Sequence, residues 1–206
     1  CREWHKIFGG SMGIIGKDFN YIKVPNFLDK GEITLLNKYC EIMHRTNVRQ
    51  FGLDKSTPVG DDVGDTCCHG DPVFDSLLLT KQKLMEKTTG KELLPTYTYW
   101  RMYTKHAILR KHKDRPACEI SVTVHIGSDG TPWPIFMDGN EVNTKPGDAV
   151  IYLGPKLEHY RERFQGDWQA QVFLHYVDAK GPHRDQHMDG RAFWGTARSL
   201  NNPEAI

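Results

Sequence analysis

From Cys118 to Ile126 the chain alternates strictly. Cys118, Ile120, Val122, Val124 and Ile126 fall on one side, and Glu119, Ser121, Thr123 and His125 on the other. A period of two predicts a strand with one apolar and one polar face. Short runs of the same kind recur around it: TYTYWRMY at Thr96 to Tyr103, then ILRKH, WPIFM, EVN, AVIYL and WQAQVFLHYV. They are rich in aromatic and β-branched residues, and Gly, Pro and Asp cluster between several of them. Strands spaced this way without intervening helices predict an antiparallel sandwich or barrel.

Upstream of Pro95 the pattern is helical. YIKVPNF, at Tyr21 to Phe27, reads as an opening strand interrupted by Pro25. Asp29 followed by Glu32 has the spacing of a capping box. The helix it starts carries Ile33, Leu36, Tyr39, Cys40 and Met43 on one face. Thr46 to Gly70 is rich in Gly, Asp and Thr without a period, which predicts a long loop or irregular hairpin able to act as a lid. Asp71-Pro72 opens a second helix whose stripe is Val73, Phe74, Leu77, Leu78, the stem of Lys81, Leu84 and Met85, and Gly90 stops it. After Asp178 the chain is polar with isolated aromatics, and is expected to drape irregularly over the rest. The expectation is a single domain over 1–206: helical support at about 20–92, a β-helix (jelly-roll) core at about 95–178, and a tail at 179–206.

Composition narrows the function classes. Lys and Arg balance Asp and Glu to a formal +1, so no strong field points to nucleic acid or an acidic membrane surface. No apolar run approaches the roughly 18 residues of a membrane span, and CREWHKIFGG lacks the apolar core of a signal peptide. Five cysteines form no even framework, which fits reduced thiols and a cytoplasmic protein. Cys67-Cys68-His69 lacks the spacing of a structural zinc site.

The candidate chemistry sits just before the alternating strand. His112-Lys113-Asp114 closes a short extended run, where residues two apart project to one face. His159, in GPKLEHYRERF, follows another strand-like run and supplies a third donor. Two imidazoles and one carboxylate occupy one face of a ferrous ion and leave the other positions open. H-x-D also occurs at His183/Asp185 and His187/Asp189. Those pairs lie in the polar tail without a strand behind them and read as solvated or capping residues. His125 and His175 are placed to face a barrel interior.

These residues carry a resemblance. H-x-D with a distant His on such strands resembles the Fe(II)- and 2-oxoglutarate-dependent dioxygenases, and within them the prolyl-4-hydroxylase-like branch. YIKVPNFLDKGEITLLNKYCEIM is similar to that branch's opening strand and helix, YTYWRMYTKHAILRKHKD to its lead-in to the metal, and Pro146 to Val177 to its closing strands. The resemblance covers roughly residues 20 to 178. It implies a double-stranded β-helix with Fe(II), 2-oxoglutarate and O2 as cofactors, release of succinate and CO2, and hydroxylation of a C–H bond. The implied substrate is a prolyl or other amino-acid or peptide group. His112, Asp114 and His159 would be catalytic iron ligands, and Tyr103 and Thr123 would contact 2-oxoglutarate. Relatives place Arg or Lys on the last strand for its far carboxylate, and here that position is Gln169. Arg161 or Arg101 is then the charged alternative. The same three ligands would also serve a cupin-like hydrolase or isomerase, and a barrel of this kind can bind ligands without catalysis.

Overall fold

The computed structural model describes residues 15–17, 19–51 and 65–196. Its order is β1 (Tyr21–Val24), α1 (Lys30–Phe51), β2 (Thr66–His69), α2 (Pro72–Thr89), β3 (Leu93–Thr104), β4 (Leu109–His112), β5 (Ile120–Ser128), β6 (Ile135–Met137), β7 (Asn140–Val142), β8 (Ala149–Tyr152), β9 (His159–Arg161) and β10 (Trp168–Asp178). The strands form an antiparallel six-stranded sheet, β1-β8-β5-β10-β3-β2, and a four-stranded sheet, β4-β9-β6-β7. This interleaving of strands between two facing, unclosed sheets is the jelly-roll arrangement of a double-stranded β-helix.

The alternation in β5 decides what lies on each face. Ile120, Val122, Val124 and Ile126 join Leu36 and Cys40 of α1, Phe74, Leu77, Leu78 and Met85 of α2, and Val172, Leu174 and Tyr176 of β10 in the main apolar core. That core lies between the larger sheet and the helices. Ser121, Thr123 and His125 therefore face the other way, between the two sheets. Along β10 the same rule turns Gln169, Gln171, Phe173 and His175 inward, and along β3 Tyr97, Tyr99, Arg101 and Tyr103. The inward polar residues are nevertheless buried.

Both helix starts obey their caps. Asp29 Oδ1 accepts from the Glu32 amide and Glu32 Oε2 from the Asp29 amide, each at 2.8 Å. Asp71 Oδ1 accepts from the amides of Val73 and Phe74, and Gly90 ends α2 at φ 69°, a left-handed conformation that suits glycine.

Three expectations need correction. The first helix continues to Phe51, into the stretch expected to be a loop. Thr66–His69 in that same stretch is a strand, paired with Tyr99–Met102 of β3. Ladder hydrogen bonds to β3 supply what its composition does not advertise. The rest of the stretch expected to form a lid, residues 52–64, lies outside the described residues. The third correction concerns Asp189, which is buried. It receives a bidentate contact from Arg115, both distances 2.6 Å, because the turn at Arg184–Gly190 folds back against β3. No helix among the described residues is long and apolar enough to cross a membrane.

Candidate metal centre and its cavity

His112 ends β4 and His159 begins β9, and the two are direct register partners. Their rings lie 4.2 Å apart. Asp114 follows β4 and its amide donates to the Gly154 carbonyl at 3.0 Å, which turns the carboxylate towards the histidines. Asp114 Oδ1 is 3.4 Å from His112 Nε2 and 3.5 Å from His159 Nε2. The three donor atoms lie within 4.8 Å of one another.

The donor chemistry fits a metal. His112 Nδ1 lies 2.7 Å from the Arg110 carbonyl and His159 Nδ1 3.1 Å from the Leu157 carbonyl. A carbonyl only accepts, so each Nδ1 carries the proton and each Nε2 presents its lone pair to the shared point. Burial alone would raise the Asp114 pKa, but when no cation occupies the site the two imidazoles, once protonated on Nε2, donate to the carboxylate, which outweighs burial and holds the carboxyl well below its usual range. Contact with Asp114, opposed by burial, raises His112. An anionic ligand between two basic nitrogens is poised for a divalent cation.

The triad opens into a cavity of about 400 Å³ whose walls include Tyr97, Tyr99, Tyr103, Leu109, Tyr152 and Phe173. That size and apolar wall suit a small-molecule site. Tyr103, from β3, packs edge-to-face on Trp133 at 4.9 Å. Arg161, two residues past His159 on the same face of β9, places its guanidinium over the other side of this assembly, 4.9 Å from the Trp133 ring.

Arg161 is almost wholly buried, at 1 % exposure. Its Nη1 donates to the Trp133 carbonyl, while Nε and Nη2 have no hydrogen-bond partner. Burial pushes its pKa down from 12.5 to about 10, against a smaller opposing influence of the Tyr103 and Tyr152 hydroxyls. Arg101, the other candidate, is committed: Asp65, itself buried, accepts from its Nε at 2.7 Å and also pairs with Nη2. Gln169 is buried with both amide atoms unpartnered. Thr123 donates to Gln171 Oε1 at 3.1 Å; Arg101 and Tyr103 line the cavity, whereas Arg161, Gln169, Thr123 and Gln171 lie behind the residues that line it.

Several neighbours of the triad were not legible beforehand. Ser121 Oγ lies 3.5 Å from Asp114 Oδ2 and 2.8 Å from His175 Nδ1. A Cβ on Gly154 would sit 2.6 Å from Asp114 Oδ2. The polar face of β5 was the available signal for Ser121. Nothing local marks Gly154, whose role comes from a contact across the fold.

The fold and site thus define a double-stranded β-helix carrying a two-histidine, one-carboxylate face. No protein-family model matches the chain, and no curated protein matches it. Solved structures do. The non-haem alpha ketoglutarate dependent epimerase SnoN from nogalamycin biosynthesis aligns over 78 % of this chain and 79 % of its own, with 12 % identity and a TM-score of 0.62. A Pseudomonas putida prolyl-4-hydroxylase aligns over 77 % and 92 %, with 16 % identity and a TM-score of 0.57. HygX from Streptomyces hygroscopicus, solved with nickel and 2-oxoglutarate bound, aligns over 87 % and 88 %, with 13 % identity and a TM-score of 0.59. At these identities the likeness establishes the fold.

Proposed function

We propose that this chain is a non-haem Fe(II)- and 2-oxoglutarate-dependent oxygenase that hydroxylates a C–H bond of a prolyl or other amino-acid or peptide substrate. His112, Asp114 and His159 hold the metal. The observation that carries the reading is their convergence with both Nε2 lone pairs aimed inward, beside a buried arginine that no carboxylate among the described residues neutralises. Solved relatives by fold include enzymes whose names state a prolyl-4-hydroxylase and an alpha ketoglutarate dependence, which supports the same assignment.

A bound iron would supply the oxygen chemistry, coupled to conversion of 2-oxoglutarate to succinate and CO2. The chain's own residues do the positioning. Arg161 lies roughly 7 Å along β9 from His159, a span suited to a five-carbon diacid reaching from metal to guanidinium. Its unpartnered Nε and Nη2 receive the far carboxylate as a charge-assisted pair, and the Tyr103 hydroxyl supports it from β3. Arg161 thereby replaces the cation that Gln169 lacks. Gln169 offers its amide nitrogen as a neutral donor to the same region, and Thr123 fixes Gln171 beside it. Tyr97, Tyr99 and Phe173 leave an apolar wall for the substrate and exclude water from the reacting face.

The test is an anaerobic titration of Fe(II)-loaded protein with 2-oxoglutarate, following the weak visible charge-transfer band of a chelated 2-oxo acid. The band should appear in the wild type and vanish in His159→Ala. Fe(II) binding without any band would overturn the oxygenase reading in favour of a cupin-like metalloenzyme.

A further inference from the structure

Asp114 uses one oxygen towards His112 and His159. The other oxygen, Oδ2, lies 3.5 Å from Ser121 Oγ. Asp114, Cys118 and His175 also bring their ligand atoms within 4.8 Å of one another. Cys118 ends the short turn Pro116–Cys118, and His175 comes from the inward face of β10. Both are buried, at 2 % and 5 % exposure. His175 lines the cavity beside Asp114, so an ion has a route to the cluster.

The hydrogen bonds prepare these atoms in the same manner as the first three. The Ser121 hydroxyl donates to the Cys118 carbonyl at 3.0 Å, with Asp114 Oδ2 as a longer second acceptor. Its oxygen is then free to accept from His175 Nδ1 at 2.8 Å. The proton therefore sits on Nδ1, and Nε2 keeps its lone pair. The Tyr97 ring packs at a tilt on the His175 ring, centroids 4.4 Å apart, and its hydroxyl lies 3.1 Å from Cys118 Sγ. The cluster thus joins one sulfur, one imidazole and one carboxylate, with a phenol as neighbour.

We propose that Asp114, Cys118 and His175 form a second cation subsite, selective for a thiophilic divalent ion such as zinc, that shares the Asp114 carboxylate with the first. The sulfur sets the selectivity: thiolate with imidazole favours zinc and cobalt, whereas the His112 face has only nitrogen and oxygen donors. On binding, the Cys118 S–H bond breaks, a metal–sulfur bond forms and the proton leaves to solvent, with no change of oxidation state. An ion here draws on the carboxylate that the iron face needs. Zinc would therefore suppress oxygenase turnover without emptying the His112/His159 positions. Formation of the subsite is independent of the proposed function; only this consequence for turnover rests on it.

Anaerobic titration with Co(II) separates the two sites, because a thiolate ligand adds an intense near-ultraviolet charge-transfer band. The wild type should take two equivalents and show the band. Cys118→Ser should take one and lose the band, whereas the double variant His112→Ala/His159→Ala should take one and keep it. A wild type that binds one equivalent without the band would overturn the proposal, as would a band that survives Cys118→Ser, since Cys67 or Cys68 would then be its source. Should Cys118→Ser fail to fold, alkylation of the wild type decides: zinc must slow iodoacetamide modification of Cys118, and an unchanged rate refutes the subsite. In turnover assays Cys118→Ser should need roughly tenfold or more zinc for half inhibition. Loss of the iron site alone would instead appear as a missing equivalent in which the thiolate band is retained.

Discussion

Replacing Arg161 with methionine should move stability and cosubstrate binding in opposite directions. The guanidinium is fully buried and its pKa falls from 12.5 to about 10. At about 1.4 kcal/mol for each tenfold change in proton affinity, burying this charge costs the ligand-free protein about 3 kcal/mol. Methionine keeps the apolar stem and removes that cost. It also removes the hydrogen bond to the Trp133 carbonyl, worth about 1 kcal/mol, and the contact over the Trp133 ring, worth about 1 kcal/mol. The remainder is a gain of about 1 kcal/mol, or about 2–4 °C in midpoint for a protein of this size. Cosubstrate binding should suffer, because a charge-assisted contact contributes about 1.5–3 kcal/mol. The corresponding loss of affinity is about 10- to 150-fold. Thermal unfolding of the Mn(II)-loaded protein, with and without 2-oxoglutarate, reads both effects. The ligand-free midpoint should rise while the ligand-induced shift shrinks. A variant that is less stable yet keeps the full ligand-induced shift would refute the anchor role.

Two further expectations concern the same interior. Gly154→Ala would place a methyl 2.6 Å from Asp114 Oδ2 and 2.4 Å from the Cys118 carbonyl, displacing the ligand; calorimetric Mn(II) affinity should fall about 10- to 100-fold, and an unchanged affinity would show that the carboxylate position is not set there. His125 is pushed down to about 4, chiefly by burial and secondarily by Arg161, so its contribution is present above the unfolded value near 6.5 and lost as pH falls towards about 4. Over that window His125→Gln should lose on the order of 3 kcal/mol less stability than the wild type, and parallel denaturation curves for the two proteins would sink the argument.

Much of the architecture was readable from periodicity. The β5 alternation specified both faces of the larger sheet, and the Asp29/Glu32 and Asp71/Gly90 signals located the helices. The meeting of His112, Asp114 and His159 was legible from an H-x-D at a strand end with a distant His after another strand, and the position of Arg161 from its two-residue spacing to His159 along one strand. Thr66–His69 was not, since four residues of TCCH carry no alternation and acquire strand form by pairing with β3. Asp189 looked solvated in a polar tail, yet Arg115 supplies the partner that permits its burial. Alternation placed Ser121 and His175 on inward faces, and His175 does line the cavity; that they and Gly154 meet Asp114 comes from tertiary contacts, which no local pattern encodes.

The placement of the main apolar core outside the barrel, beneath α1 and α2, separates two kinds of selection. Cohesion comes chiefly from one face of the larger sheet, so the opposite face need not be greasy to keep the protein folded. Ser121, Thr123, His125, Gln169, Gln171 and His175 accordingly occupy the face that does not carry the main core, where polar side chains are accommodated in the interior. A lumen relieved of that duty is a surface on which new specificities arise by substitution. The two strand faces, alternating residue by residue, thus divide one sequence between a slowly changing frame and a readily evolvable reaction chamber.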